Sequence, residues 1–489
     1  MENIFTGIVP KAEIIPLVEK IFKERYQLNT NMLTASLGTL DFYFQHLQDD
    51  LTVVAEHPYV DKVYRNIYYY YYSSKLENYP RQCIKLSFFK TKVTDDDFRN
   101  PERLEYLQNN FGGFVVLRPT FPSIIGRSVL SSTITKTPDI QICSVGIGTT
   151  VKGVKLTSYG FPHASQDAEM LTCAETTIWS LMEYFGSRYA EYKPILPDQI
   201  SKILSSISFE RLTPSKGLSG NQISFAVKEL GFGVRSYSRN QYLAEFEPLL
   251  KTYVESGIPV VALMDNSSGI GHALNIVGRE PYTTGDLENL QKVTQLKNGK
   301  PVLDFTSMPM QYVFIDDNFP PYKLAYIDNP ASYYTDPQWN GCSISAFIVP
   351  LYPKIYLEAD EARKMTLLLL DQINFNNTEP LVLKTFLASS RSYKHSVSQN
   401  VLLDNTAKEL LLGTAMPKFI WVTEITDKAM LANNLCNGVV ILDATEPRKT
   451  GALACIVENN YITLNFTSIT QATLSLQPFH MYQSNLKPL

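Results

Sequence analysis

Within residues 174–316 the apolar period changes from helical to strand-like, and this order constrains the fold more than any other feature of the chain. Residues 174–186 set Ala174, Ile178, Leu181 and Phe185 on one helical face. Residues 197–207 do the same with Ile200, Ile203, Leu204 and Ile207. Two further helices are expected over 220–230, ended by Gly231, and over 243–256, ended by Gly257 and Pro259. Three strands follow: PVVALM (259–264), HALNIVG (272–278) and QYVFID (311–316). Helices first and antiparallel strands afterwards specify an α+β domain.

At roughly 100–200 residues per domain, 489 residues suggest two to four domains. We place a central α+β domain at 156–350, with an α/β module at 1–155 and another at 351–489. Ile14, Leu17, Val18 and Ile21 predict an amphipathic helix over 11–26. YRNIYYYYYSSK (64–75) reads as a strand at a domain junction, because tyrosine favours strands. FGGFVVLRP (111–119) predicts a buried strand, and 121–165 predicts several short ones. A polar insert at 279–310 belongs on the surface, either shaping substrate access or extending a hairpin. LKTFLASSRSYKHS and KFIWVTEI are the clearest segments beyond 350.

Hydrophobic residues make up 44% of the chain, enough for more than one core. A net charge of -4 gives no electrostatic footprint for nucleic acid. No run reaches the ~18 apolar residues of a membrane span. The N-terminal MENIFTGIVPKAEII lacks a basic start and is broken by Gly7 and Pro10, so no signal peptide is expected and the expected location is cytoplasmic. The six cysteines (83, 143, 173, 342, 436, 455) are scattered without a CxxC pair, and there is no HExxH. Neither a disulfide framework, a metal site nor a cofactor is expected. There is no P-loop, no complete GxGxxG and no GxSxG, which argues against nucleotide enzymes and serine hydrolases.

The chemistry concentrates in SQDAEMLTCAETTIWSLMEYFG (165–186). Thr172 and Glu175 fit an S/T-x-x-E capping box, which puts Cys173 in the first turn of a helix. There the free backbone N–H groups and the positive end of the helix dipole favour an anionic sulfur, the nucleophilic form. A base is offered by His272, which opens a strand after Gly269 and Gly271. The third member is expected at the end of YVFIDDN, from Asp317 or, alternatively, Asp316. Strand alternation puts those two carboxylates on opposite faces, and Asp317 is preferred. IDNP at 327–330 is the reserve. Gln166, seven residues before Cys173, is a candidate oxyanion donor beside the Cys173 backbone N–H.

Together these residues resemble the papain-like cysteine peptidases, with the nearest pattern in the bacteriocin-processing, double-glycine-leader peptidases. Gln166, Cys173, His272 and Asp317 stand in that family's order over roughly a third of the chain. The resemblance implies a helical half carrying the nucleophile, a sheet half carrying the base, a cleft between them, and Gln166 as the oxyanion donor. Ala174 replaces the glycine that often follows the nucleophile, the Gln-to-Cys spacing is one longer, and Asp-Asp-Asn replaces the usual Asp-Pro. As a whole the chain resembles a bacterial family of large, functionally uncharacterised papain-like proteins. The expected function is a cysteine hydrolase acting on a peptide or isopeptide bond of a polypeptide substrate. The alternatives are an acyl transferase or deamidase using the same triad, and an inactive binding protein that keeps the fold. Nothing in the sequence specifies an oligomeric state.

Overall fold

Alternating side chains in the first two sheets enter different cores, and this sets where the candidate site lies. The computed structural model describes residues 5–26, 28–137, 139–208, 214–373, 375, 379–448, 451–457, 460–465, 468–473 and 476–488. Helices and antiparallel sheets combine in an α+β fold. The first sheet is an antiparallel meander of Phe5–Pro10, Thr52–Tyr59, Cys83–Phe89, Phe111–Leu117 and Ile125–Leu130. Val53, Ala55, Leu86 and Val115 point to helices Ile14–Ile21 and Thr30–Phe44. Val54, Phe114, Val116 and Val129 point the other way, into the core that surrounds helix Cys173–Arg188.

The second sheet runs in the order Lys323–Ala325, Tyr312–Ile315, Gly271–Arg279, Val260–Asp265, Ser343–Leu351, Gly233–Ser238, with every pair antiparallel. Val261, Ala273, Val277 and Ile315 face helix Cys173–Arg188. Val260, Ala262, Leu274 and Phe314 face helix Phe246–Glu255 and the third sheet. That last sheet is built on Leu381–Ser389, Phe419–Thr426, Gly438–Asp443 and Ala452–Val457, and continues through Asn460–Asn465 and Ser468–Thr473.

Three expectations need correction. The tyrosine run is helical: Lys62–Tyr70 is an α-helix capped by Asp61, whose carboxylate accepts from the Val63 and Tyr64 N–H groups. Burial of Val63, Tyr64 and Ile67 follows the helical period, so tertiary packing overrides strand propensity. The polar insert is not a free surface excursion. Its strands Lys292–Gln295 and Pro301–Asp304 form a hairpin, and the second pairs in parallel with Leu381–Ser389 of the third sheet. Third, helix Cys173–Arg188 is buried at every position from Ala174 to Phe185 rather than on one face. Some of its polar groups are paired inside: Glu183 Oε1 accepts from Arg127 at 3.1 and 2.8 Å, and Ser180 Oγ bonds Asn275.

The segments interleave across the second sheet. Gln141–Ile142 pairs with the end of Gly271–Arg279, and Lys487–Pro488 pairs with Gln141–Ile142. The cuts at 155 and 350 therefore pass through shared sheets. Gly278 allows this approach, since a Cβ there would lie 2.1 Å from the Gln141 carbonyl oxygen.

Candidate catalytic site

Cys173 is the first residue of its helix, after the extended N-cap Thr172 (φ -91°, ψ -177°). The expected box takes a different form. The Thr172 hydroxyl donates to the Glu175 carboxylate rather than capping a backbone N–H, and the other Glu175 oxygen accepts from Ser215 Oγ at 2.7 Å. The approach to the helix is built by Asp167. Its Oδ1 accepts from the N–H groups of Glu169, Met170 and Leu171 at 2.8–3.0 Å, while its own N–H reaches the Leu171 carbonyl at 2.8 Å. An Asx turn of this kind fixes the backbone immediately before Cys173.

His272 is the second residue of strand Gly271–Arg279, paired with Met264. One helical turn beyond Cys173, Thr177 Oγ1 donates to the Ala273 carbonyl at 3.1 Å, and Asn275 Nδ2 donates to the Thr177 carbonyl at 3.1 Å. These bonds set the helix register against the strand and bring the Cys173 side chain beside His272, where it helps to raise the affinity of the ring for a proton. His272 Nε2 lies 3.0 Å from Asp316 Oδ1, which leaves Nδ1 as the nitrogen open to Cys173.

Asp316, not the preferred Asp317, makes the short contact. Its Oδ1 also accepts from the Asn318 N–H at 3.0 Å, and its Oδ2 accepts from the Tyr333 and Tyr334 hydroxyls at 2.9 and 2.7 Å. Asp317 Oδ1 stands 3.6 Å from His272 Nε2, and among the described residues neither Asp317 oxygen has a hydrogen-bond partner. The strand ends at Ile315, so strict alternation no longer separates the two carboxylates and both are buried beside the ring. The reserve Asp328 is exposed.

These surroundings separate the titrations. Burial opposes charge on His272, but the Asp316 charge and hydrogen bond outweigh it and hold the imidazole well above its ordinary 6.5. Burial likewise opposes charge on Asp316, yet the His272 charge and hydrogen bond keep its carboxyl below the usual range. Burial, reinforced by the neighbouring Asp316 charge, pushes Asp317 up to about 7. A carboxyl raised in the folded state favours folding below its unfolded value of ~4, and that advantage is lost as the pH rises through about 7. Asp317→Asn is therefore expected to leave thermal stability unchanged below ~pH 4 and to raise the melting temperature at ~pH 8. Thermal melts at the two pH values check this, and a lower melting temperature at the higher pH would contradict it.

A lid of aromatic side chains covers the pair. Trp339 packs edge-on to His272 with ring centroids 5.3 Å apart and stacks on Tyr334 at 3.8 Å. Tyr333, Tyr334, Trp339 and Asp167 were not singled out in the sequence. Their only signal was the cluster ASYYTDPQWN (331–340) and the turn-forming Asp before the helix. Gln166 does come to the site, but its Nε2 donates to Asn318 Oδ1 at 2.6 Å and so joins the turn that carries Asp316.

The remaining cysteines are buried. Burial raises the thiols of Cys83 and Cys436 well above the ordinary value, those of Cys143 and Cys455 to about 12, and that of Cys342 less strongly. Cys173 alone is half-buried. Among the described residues, His272, Asp316 and Asp317 also form a group whose ligand atoms lie within 4.8 Å of one another, close enough to hold a metal ion. No described helix is long and apolar enough to cross a membrane. No protein-family model and no curated protein matches this chain.

Proposed function

We propose that this protein is a papain-like cysteine hydrolase that cleaves a peptide or isopeptide bond of a polypeptide. The observation that carries the reading is the chain of contacts from the half-buried Cys173, through His272, to a buried Asp316 held by four donors. Asp316 orients the imidazole and stabilises its charged form. The Cys173 sulfur attacks the carbonyl carbon, and the oxyanion forms near the first-turn N–H of Cys173. Collapse breaks the C–N bond, with the leaving amine taking its proton from the His272 imidazolium. Water then attacks the thioester while His272 accepts its proton, and the C–S bond breaks to restore the sulfur nucleophile. The tyrosine and tryptophan lid keeps water away from the His272–Asp316 bond, where a lower dielectric strengthens it. Gln166 is the side-chain candidate for the second oxyanion donor.

Incubating a complex peptide mixture with the wild type and with Cys173→Ala, followed by mass spectrometry, tests the proposal. New termini carrying the elements of water in the wild type alone are the expected result. Products enlarged by an amine would replace hydrolysis by acyl transfer. Identical mixtures from the two proteins would remove the hydrolytic reading.

A further inference from the structure

Where the last turn of helix Cys173–Arg188 meets the third sheet, the structure encloses a cavity of about 380 Å³. This volume falls in the ~300–1,000 Å³ range of small-ligand pockets. Its inner wall is apolar and buried, formed by Phe185, Leu351, Leu387 and Tyr482, with Tyr352 and Phe419 beside them. Its charged lining is unbalanced: Arg188, Arg391 and Lys418 against Glu191 alone. Lys418 is already paired with Glu191. Arg188 is held by the Ser144 carbonyl at 2.9 Å, a neutral partner.

Arg391 makes no hydrogen bond or ion pair among the described residues. It is the second residue of helix Ser390–Gln399, and Ser389, Ser390 and Ser392 around it line the same cavity. A cation in the first turn of a helix is repelled by the dipole, at a cost that an anion placed there removes. Two cationic side chains and a positive helix end thus converge on one apolar hollow, with no anion left to answer them.

We propose that this cavity binds a small amphipathic anion. Its carboxylate or phosphate head lies against Arg391, Arg188 and the start of helix Ser390–Gln399, and its apolar body fills the space between Phe185, Leu387 and Phe419. The inference does not rest on the chemistry at Cys173, which sits at the other end of the same helix, ~22 Å along its axis.

Isothermal titration of the full chain with octanoate, octyl phosphate and uncharged 1-octanol tests it. Saturable binding of at least one anion with Kd below ~1 mM is expected, with octanol at least ~10-fold weaker. Arg391→Glu, at an exposed side chain, is expected to weaken that binding at least ~10-fold while leaving the circular dichroism spectrum unchanged. Arg391→Gln should fall between. The relative strength of the carboxylate and the phosphate identifies the preferred head group. No saturable heat with either anion, equal binding of octanol, or undiminished binding by a folded Arg391→Glu would each overturn the assignment.

Discussion

His272→Ala is expected to lower hydrolysis by ~10²–10⁴-fold, the contribution typical of a positioned acid and base. The ring is the sole described link between Cys173 and Asp316, so no neighbouring group takes its place at both atoms. Asp316 would keep its bonds from Asn318, Tyr333 and Tyr334, which limits the damage to the surrounding fold. Asp316→Asn should lower the rate in the same direction. The amide preserves the shape but removes the charge that keeps His272 protonated above its ordinary value. Steady-state rates with any peptide cleaved by the wild type measure both variants, and a His272→Ala enzyme within a few-fold of the wild type would contradict the assigned base.

Arg279→Met is expected to cost ~3–5 kcal/mol of stability, because it leaves a buried carboxylate short of its main partner. Arg279 ends the strand that carries His272 near its start, and its Nε and Nη2 meet Glu255 at 2.7 and 3.1 Å. Lys384 Nζ meets the same carboxylate at 2.9 Å. All three residues are buried, and they join the second sheet, helix Phe246–Glu255 and the third sheet. Burial disfavours the Glu255 charge, but Arg279 and Lys384 outweigh it and hold the carboxyl well below its ordinary range. This stabilisation is present above ~pH 4 and is lost as the pH falls toward the lowered folded value. Urea unfolding should show the full loss at neutral pH and a smaller one in acid. A loss under ~1 kcal/mol at neutral pH would show that the cluster does not hold the sheets together.

The central domain was legible because its period carries the topology. The four expected helices and three strands of 174–316 all form, with ends shifted by only a few residues. Cys173 and His272 were legible for the same reason, since Cys173 opens a helix, His272 lies one residue into a strand, and element starts carry local signals. The choice between Asp316 and Asp317 was not. It depends on the chain leaving the strand at Ile315, and on two tyrosines that approach Asp316 from 17 and 18 residues away. The tyrosine run misled because intrinsic preference is weak beside the burial of Val63, Tyr64 and Ile67. The hairpin at 292–304 could not be assigned to the third sheet, because its parallel partner begins only at Leu381 and long-range pairing leaves no local trace.

The most direct measurement is low-dose iodoacetamide labelling of the native protein at neutral and mildly acidic pH, with each cysteine ranked by mass spectrometry and His272→Ala as control. The account predicts that Cys173 is modified first, stays reactive at the lower pH, and slows in the variant, while the five buried thiols lag. A Cys173 that reacts no faster than Cys83 or Cys436, or that is indifferent to His272, would contradict an activated cysteine–histidine pair.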